Sequence, residues 1–75
     1  MSCTIPAKII TIDGSTATVD VYGTVGFADI SLLNDAGIGD YIILYAGRGI
    51  DKVAEKDALE IISYLTEVNR RRRKA

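Results

Sequence analysis

The residue best suited to chemistry in this 75-residue chain is Cys3, its only cysteine. The sequence contains no histidine either, so Cys3 lacks the partners for an internal disulfide or a multi-cysteine zinc site. Its place beside a chain terminus favours an accessible thiolate that ligates metal or exchanges with other thiols. A free cysteine is also a common small hydrophobic residue of protein cores, and both interpretations stay open on composition alone.

The remaining residue types argue against self-contained catalysis. Without histidine, the chain has no Ser-His-Asp or Cys-His nucleophile pair and no histidine acid–base chemistry. Its carboxylates are scattered, and three of them stand beside glycines in typical turn sequences: Asp13, Asp35 and Asp40. We therefore predict that the chain is not an enzyme.

The charges divide the chain into an acidic body and a basic end. Residues 70–74 carry five of the nine positive charges, which leaves four basic and ten acidic side chains before them. A nucleic-acid surface needs basic residues on the fold itself, so an acidic body argues against one. We predict that residues 70–75 form a disordered, solvated tail, although such a run could also touch nucleic acid, an anionic membrane or an acidic partner.

Length and hydropathy indicate one small domain. A chain of 75 residues has room for one modest core. No apolar run approaches the ~18 residues of a membrane span, and the N-terminus lacks the pattern of a signal peptide. An unpaired cysteine without a secretion signal favours the reducing cytoplasm.

The apolar periodicity predicts five short strands followed by one helix. Residues 16–21 alternate strictly between apolar and polar, and residues 41–46 form a continuous apolar run of the kind found in a barrel wall. The predicted strands are 7–12, 16–21, 24–32, 41–46 and 50–53, and the predicted amphipathic helix is 54–69. This order predicts a mainly β protein, with a small OB-like β-barrel over 1–53 and a C-terminal helix of the same domain over 54–69.

Gly47-Arg48-Gly49 interrupts the pattern between the last two strands. It is not a phosphate-binding loop, because no Gly-Lys-Ser/Thr sequence or helix start accompanies it. We predict instead that these glycines relieve crowding at a strand end or bulge.

Several segments together resemble one known family. The chain reads Cys-Thr-Ile-Pro-Ala-Lys at 3–8, Ile-Asp-Gly at 12–14, Val-Asp-Val at 19–21, and Gly-Asp-Tyr-Ile-Ile-Leu-Tyr-Ala-Gly-Arg-Gly-Ile-Asp-Lys at 39–52. In this order and spacing, over about residues 3–69, the chain resembles the HypC/HupF/HybG family of hydrogenase maturation chaperones.

The resemblance implies a carrier and scaffold with an OB-like fold. It implies that Cys3 is the thiolate ligand of a transient iron that carries cyanide and carbon monoxide, Fe(CN)2CO, shared with a HypD-like maturation protein. It also implies delivery of that unit to the large-subunit precursor of a nickel–iron hydrogenase, with no cofactor held stably by the isolated chain. Cys3 would also contact the partner, in a partner-binding segment that includes Thr4, and Ile5 and Pro6 would shape the segment that holds the cysteine.

Two departures from the family pattern concern this site. Ser2 precedes the cysteine, so removal of Met1 would leave Ser2 at the terminus. Tyr45 stands where the family has a histidine, and tyrosine neither titrates near neutrality nor replaces histidine as an iron ligand. Packing beside Ile43 is the simpler interpretation of Tyr45, and a partner contact through its hydroxyl is the alternative.

Another departure places apolar residues in the third strand. If Thr24, Ala28 and Ile30 face inward, Val25 and Phe27 point outward and form a docking surface. Burial preference instead favours a buried place for Phe27, the only phenylalanine. We keep both as predictions for the structure to decide.

Ala54 stands where the family often has a capping aspartate, which predicts a weaker helix start.

Two functions compete with the chaperone hypothesis. One is an OB-type nucleic-acid module stacking bases on aromatic residues, namely Tyr22, Tyr41, Tyr45 or Phe27. The other is a purely structural adaptor that docks through Val25 and Phe27.

Overall fold

The computed structural model describes the backbone of residues 4–74 and the side chains of residues 4–71. Five strands precede one helix. They are β1 Ile5–Asp13, β2 Thr16–Val21, β3 Thr24–Asp29, β4 Tyr41–Tyr45, β5 Arg48–Val53 and α1 Glu55–Lys74. The predicted mainly β fold with a C-terminal helix is confirmed.

The strands close into a barrel in the order β1-β2-β3-β5-β4. Antiparallel ladders join β1 to β2, β2 to β3, β4 to β5 and β1 to β4. One parallel pair, Asp29 with Arg48, joins β3 to β5 and completes the ring. A five-stranded barrel of this kind has the architecture predicted from the sequence, and its closure leaves no free edge among these strands.

The core follows from strand alternation. Inward-facing positions of β2 and β4 hold Ala17, Val19, Ile42 and Leu44, all buried. Residues of β1 and of the end of β3 fill the remaining interior, and the complete cluster comprises Ala7, Ile9, Ala17, Val19, Ala28, Ile30, Ile42 and Leu44. The interior is lined by small and branched aliphatic side chains, so the aromatic residues of the described chain lie outside it.

Two tight turns use a left-handed backbone. Tyr22 and Gly23 have φ angles of 55° and 90°, and Ala46 and Gly47 have φ angles of 52° and 78°. Positive φ at both central residues is the type I′ geometry, whose twist matches that of a two-stranded hairpin. Glycine at the second position therefore favours each of these hairpins.

The third strand ends earlier than predicted. The sequence pattern suggested a strand to Leu32, but β3 ends at Asp29. The Asp29 carboxylate accepts a hydrogen bond of 2.9 Å from the Ser31 amide, which turns the chain out of the ladder. The segment 24–32 was therefore too long by three residues.

Gly49 sits where the barrel wall is crowded. A Cβ at this position would lie 2.9 Å from Leu33 Cδ1 and 3.0 Å from Ile42 Cδ1. The register of β4 with β5 also shifts beside it, between Ile43 and Leu44. The prediction that Gly47 and Gly49 relieve crowding is confirmed for Gly49 and wrong for Gly47, where a Cβ would meet no atom within 4 Å and the positive φ of the turn favours glycine instead.

The helix packs on β1 and β4 mainly through its first half. Ala58 is buried, whereas Ile62 and Leu65 are half-buried. The helix extends to Lys74, so the predicted end at 69 and the disordered tail from 70 do not describe residues 70–74. Within the described chain, the helix lacks the combination of length and apolar character needed to cross a membrane.

Physical reasons for the longer helix lie in its last turns. Glu67 accepts a contact of 2.6 Å from Arg70 and one of 3.3 Å from Arg71. These i,i+3 and i,i+4 pairs support a helix, and arginine has a high helix propensity. Cations at a helix C-terminus also interact favourably with the helix dipole.

The helix begins without a capping side chain. The Ala54 carbonyl accepts the first helical hydrogen bond, 2.9 Å from the Ala58 amide, so Ala54 occupies the N-cap position. Alanine has no side-chain oxygen for the free amides of the first turn. Glu55 and Asp57 supply the favourable charge near this end, although neither occupies the cap position itself.

Ala54→Ser is expected to raise the free energy of unfolding by about 1 kcal/mol, because the hydroxyl would accept a hydrogen bond from a first-turn amide. Urea denaturation of both proteins measures the difference. Ala54→Gly is the control, since it relaxes the backbone without providing a side-chain oxygen. Equal stability of the serine and alanine proteins would show that the helix start is already satisfied.

Candidate functional site

The segment that follows Cys3 is anchored firmly in the barrel. Cys3 itself lies outside the described residues. Thr4 is exposed, Ile5 is half-buried, and Pro6 and Ala7 are buried. Antiparallel pairing places Ile5 opposite Leu44 and the next two residues opposite Ile43 and Ile42. The chain therefore passes from an exposed residue next to the cysteine into a rigid strand within two residues.

Proline suits this position for a physical reason. Pro6 lies in β1 opposite Ile43, with less than 2% of its surface exposed. Its ring fixes φ near −65°, which restricts the backbone directly after Ile5. A restricted and buried residue at this point limits the directions in which the preceding segment can leave the barrel.

Tyr45 lies at the same end of the barrel as this segment. It follows Leu44, the residue opposite Ile5, so one further step along the antiparallel pair brings Thr4 and Tyr45 to the same edge. Half of its surface is exposed, 51%. The structure thus brings together the predicted site residues of β1 and β4: Thr4, Ile5, Pro6 and Tyr45.

Val25 and Phe27 lie on the outside of β3. Their exposed fractions are 61% and 77%, whereas Ala28, the neighbour of Phe27, is buried. The interpretation that placed Phe27 in the core was wrong. The register pairs Phe27 with Thr18 and buried Ala17 with Ala28, so alternation turns the ring outward.

Two more exposed apolar residues lie at β1 and in the β3–β4 loop. The register of β1 with β2 shifts between Ile9 and Thr11, and the intervening Ile10 is exposed. Ile10 borders a groove of about 460 Å³ that also includes Ile38, another exposed residue. We call the outer surface of the paired strands β1, β2 and β3, which carries Ile10, Val25 and Phe27, the β1–β3 face.

The segment that follows Cys3 and the side chain of Phe27 lie on different sides of the barrel. In the closed order, β3 neighbours β2 and β5 and contacts neither β1 nor β4 through a ladder. Val25 and Phe27 are therefore two strands away from the strands that carry Ile5 and Tyr45. The predicted partner-binding residues divide into two groups, one at the start of β1 and one on the β1–β3 face.

The Gly-Asp-Tyr segment at 39–41 fixes the long β3–β4 loop. Asp40 accepts a hydrogen bond of 2.8 Å from the Gly37 amide and lies 3.5 Å from the Lys52 ammonium. The Gly37 hydrogen bond, with a further contribution from Lys52, lowers the pKa of Asp40. Lys52 also contacts the carboxylate of Asp35 at 3.7 Å, so it ties β5 to the middle and to the end of the loop.

The sequence did not single out Lys52 or the bulge at Ile10. Lys52 follows the last apolar residues of the barrel, and its partners, Asp35 and Asp40, are far from it in sequence. The bulge depends on the loop, because the amide of Ile9 donates to the Asp40 carbonyl at 2.9 Å and its carbonyl accepts from Gly39 at 2.8 Å. Only the closed barrel brings these residues together.

Acid is expected to loosen the barrel through Asp29 and Asp40. Hydrogen bonding to Ser31 lowers the pKa of Asp29, as the Gly37 bond does for Asp40, each below its usual value of 3.8. A lowered pKa in the folded state contributes stability above the unfolded-state value, and that contribution is lost as the pH falls below it. Urea midpoints should therefore fall from pH 5 toward pH 2.5.

The variant Asp29→Asn/Asp40→Asn tests whether these two carboxylates cause the acid sensitivity. Its urea midpoint should depend less on pH over the same range, because neither amide titrates. An unchanged slope in this variant would place the acid sensitivity elsewhere.

The aromatic residues do not form one stacking row. Tyr41 and Tyr45 lie on β4, two strands from Phe27 on β3. Tyr41 is half-buried, with the Lys8 ammonium 6.0 Å from its ring centroid. Tyr22 lies in the β2–β3 turn, beside Asn69 of the helix, and partial burial raises its pKa. Nucleic-acid modules place such rings in succession along a basic groove. The aromatic residues of the described chain are not arranged in that way.

Among the described residues, no group of three or more cysteine, aspartate or glutamate side chains is placed to hold a metal ion. Cys3 is not among those residues.

Comparison with known proteins agrees with this architecture. The profile of the HupF/HypC family matches residues 1–65. The chain is 33% identical over 70 residues to a hydrogenase maturation factor HypC of Helicobacter hepaticus, covering 91% of this chain and 81% of that protein. The HypC of Azotobacter chroococcum is 30% identical over 69 residues, which cover 91% and 82%. That of Cupriavidus necator is 28% identical over 71 residues, which cover 93% and 79%.

A closed five-stranded barrel with one C-terminal helix defines a small, mainly β protein. The chain belongs to the HupF/HypC family. The resemblance drawn from the motifs is therefore confirmed.

Proposed function

We propose that this chain is a hydrogenase maturation chaperone that helps to assemble an Fe(CN)2CO unit and deliver it to the large-subunit precursor of a nickel–iron hydrogenase. The observation that carries the proposal is the anchored segment after Cys3. A family motif with a single thiol is followed, within two residues, by buried strand. Its relatives bear the name hydrogenase maturation factor.

In this proposal Cys3 is the thiolate ligand of the iron cargo. Thiolates are soft ligands and suit iron that already carries strong-field ligands. A single sulfur from one protein leaves the remaining coordination to the cargo's own ligands and to a partner. Such a site releases iron more readily than a closed four-ligand site, so the chain works as a carrier and not as a catalyst.

The two groups of candidate residues suggest two docking positions. The segment of Thr4, Ile5 and Pro6, with Tyr45 beside it, would contact the HypD-like protein that shares the iron. Val25 and Phe27 on the β1–β3 face would contact the hydrogenase precursor. Because these residues lie on strands that do not pair with each other, one partner need not leave before the other binds.

The aromatic side chain of Phe27 offers a direct test of the second position. Phe27→Asp is expected to reduce capture of the hydrogenase precursor by at least tenfold, because a buried apolar contact would be replaced by a charge. Capture of the HypD-like protein should be unchanged. Anaerobic pull-down with each purified partner measures both. Leu32→Asp, at an exposed apolar residue of the β3–β4 loop, is the matched control.

Infrared spectroscopy of the captured complexes distinguishes the chaperone from a purely structural adaptor, whose complexes would show no cyanide or carbonyl bands. The exposed β1–β3 face is the specific observation that favours an adaptor. An adaptor would lose its partner through Phe27→Asp and would bind normally after Cys3→Ala. Equal capture by wild type and Phe27→Asp would remove Phe27 from the interface.

A further inference from the structure

The exposed side of the helix carries a regular stripe of residues. Positions 57, 61, 64, 68 and 71 are separated by four, three, four and three residues, the spacing of a coiled-coil seam. Ile61, Tyr64 and Val68 form its apolar centre. Tyr64 is 69% exposed, Ile61 is 39% exposed, and Val68 is half-buried. We call these five residues the helix stripe.

The barrel covers a different side of the helix. Ala58 is buried and Ile62 and Leu65 are half-buried, and these residues follow one another on the side that faces β1 and β4. Asn69, beside Tyr22, continues that side toward the end of the helix. At 100° per residue, the centre of the helix stripe is turned about 90° away from these residues.

Opposite charges end the helix stripe. Asp57 lies in the first turn of the helix, and Arg71 lies about 21 Å away at 1.5 Å per residue. The Arg71 side chain is 77% exposed; its Nε contacts Glu67 at 3.3 Å. A guanidinium has five donor hydrogens, so this contact leaves donors for a second carboxylate.

We infer that the helix stripe binds a second copy of this chain in antiparallel orientation. A two-fold axis near Tyr64 would place Asp57 of each copy beside Arg71 of the other, and would pack the apolar centres together. An isologous contact of this kind needs a surface that complements itself. The helix stripe is acidic at one end and basic at the other, so an antiparallel second copy places opposite charges together at both ends. An unrelated partner would need its own matching charge at each end.

The association is weak by interface standards. A pair of four-turn stripes buries less than the roughly 1,200 Å² of a stable complex, so we expect a dissociation constant of about 10–100 µM. Sedimentation velocity of the full chain, with reductant to exclude a Cys3 disulfide, should show monomer at about 2 µM and dimer at about 500 µM. A monomer at the higher concentration would overturn the inference.

Charge reversal identifies the partner as a second copy. Asp57→Arg and Arg71→Asp should each weaken self-association at least tenfold, because each creates two like-charged contacts across the axis. An equimolar mixture of the two variants should regain the dimer, since both contacts then join opposite charges. Self-association of either variant alone at wild-type strength, or failure of the mixture to associate, would overturn the inference.

Two further variants separate this contact from a loss of folding. Tyr64→Lys should abolish the dimer, because it places two charges at the axis, and Leu59→Lys on another side of the helix should not. Circular dichroism establishes that each variant retains its helix. A dimer that survives Tyr64→Lys would contradict the antiparallel geometry. The contact uses neither Cys3 nor Phe27, so it stands or fails separately from the proposed function.

Discussion

Ile42→Ala is expected to lower the free energy of unfolding by about 3 kcal/mol. Ile42 is completely buried in β4. Its Cδ1 atom lies close to Gly49 of β5, 3.0 Å from where a Cβ would stand. Truncation would remove three buried carbons and leave a cavity that the closed barrel cannot easily collapse. The loss is a large share of the ~4–11 kcal/mol typical of a domain of this length.

Thermal and urea unfolding measure this loss. The melting temperature should fall by about 15–20 °C, because a small domain has a small unfolding entropy. Ile38→Ala is the matched control: it makes the same truncation at a residue that is 70% exposed. Its effect should stay within about 0.5 kcal/mol. Equal effects of the two variants would contradict the assignment of the core.

The barrel could be predicted because its strands follow local rules. Strict alternation over 16–21 and the continuous apolar run over 41–46 predicted two of the strands, and Asp13 beside Gly14 predicted the first turn. The errors came from local side-chain contacts, two to four residues apart, that the apolar pattern does not encode. β3 ended early because the Asp29 side chain captured a backbone amide, and the helix continued past 69 with arginines paired to Glu67.

Phe27 shows where burial preference fails. A single phenylalanine is usually an attractive core residue, yet the pleat of β3 gives the interior to Ala28. The small barrel is filled mainly by aliphatic side chains from β1, β2, β3 and β4, so strand parity outweighs the preference of one residue. The outer side of β3 exposes Val25 and Phe27, the pair that we propose as a docking position.

The candidate site could be predicted only in part. The motif around Cys3 pointed to the thiol, and the structure shows why the residues after it are rigid. The approach of Tyr45 to Thr4 depends on pairing between β1, which ends at Asp13, and β4, which begins only at Tyr41. The link from Lys52 to Asp35 and Asp40 likewise depends on loop geometry that no local pattern encodes.

Cys3→Ala is expected to abolish the capture of iron cargo, because the alanine chain has no thiol at all. The barrel should remain folded, since the described core uses residues from Pro6 onward. Cys3→Ser is the closest control in size, and it should also fail, because a hydroxyl is a hard and weakly acidic ligand that does not replace a thiolate. Circular dichroism and thermal unfolding verify the fold of both variants.

Infrared spectroscopy of complexes captured anaerobically with the HypD-like protein tests the central claim most directly. Wild-type complexes should show cyanide and carbonyl stretching bands of the iron unit, and Cys3→Ala and Cys3→Ser complexes should lack them. Bands of equal intensity in wild type and Cys3→Ala would contradict the account, because the cargo would then be held without the only thiol of this chain.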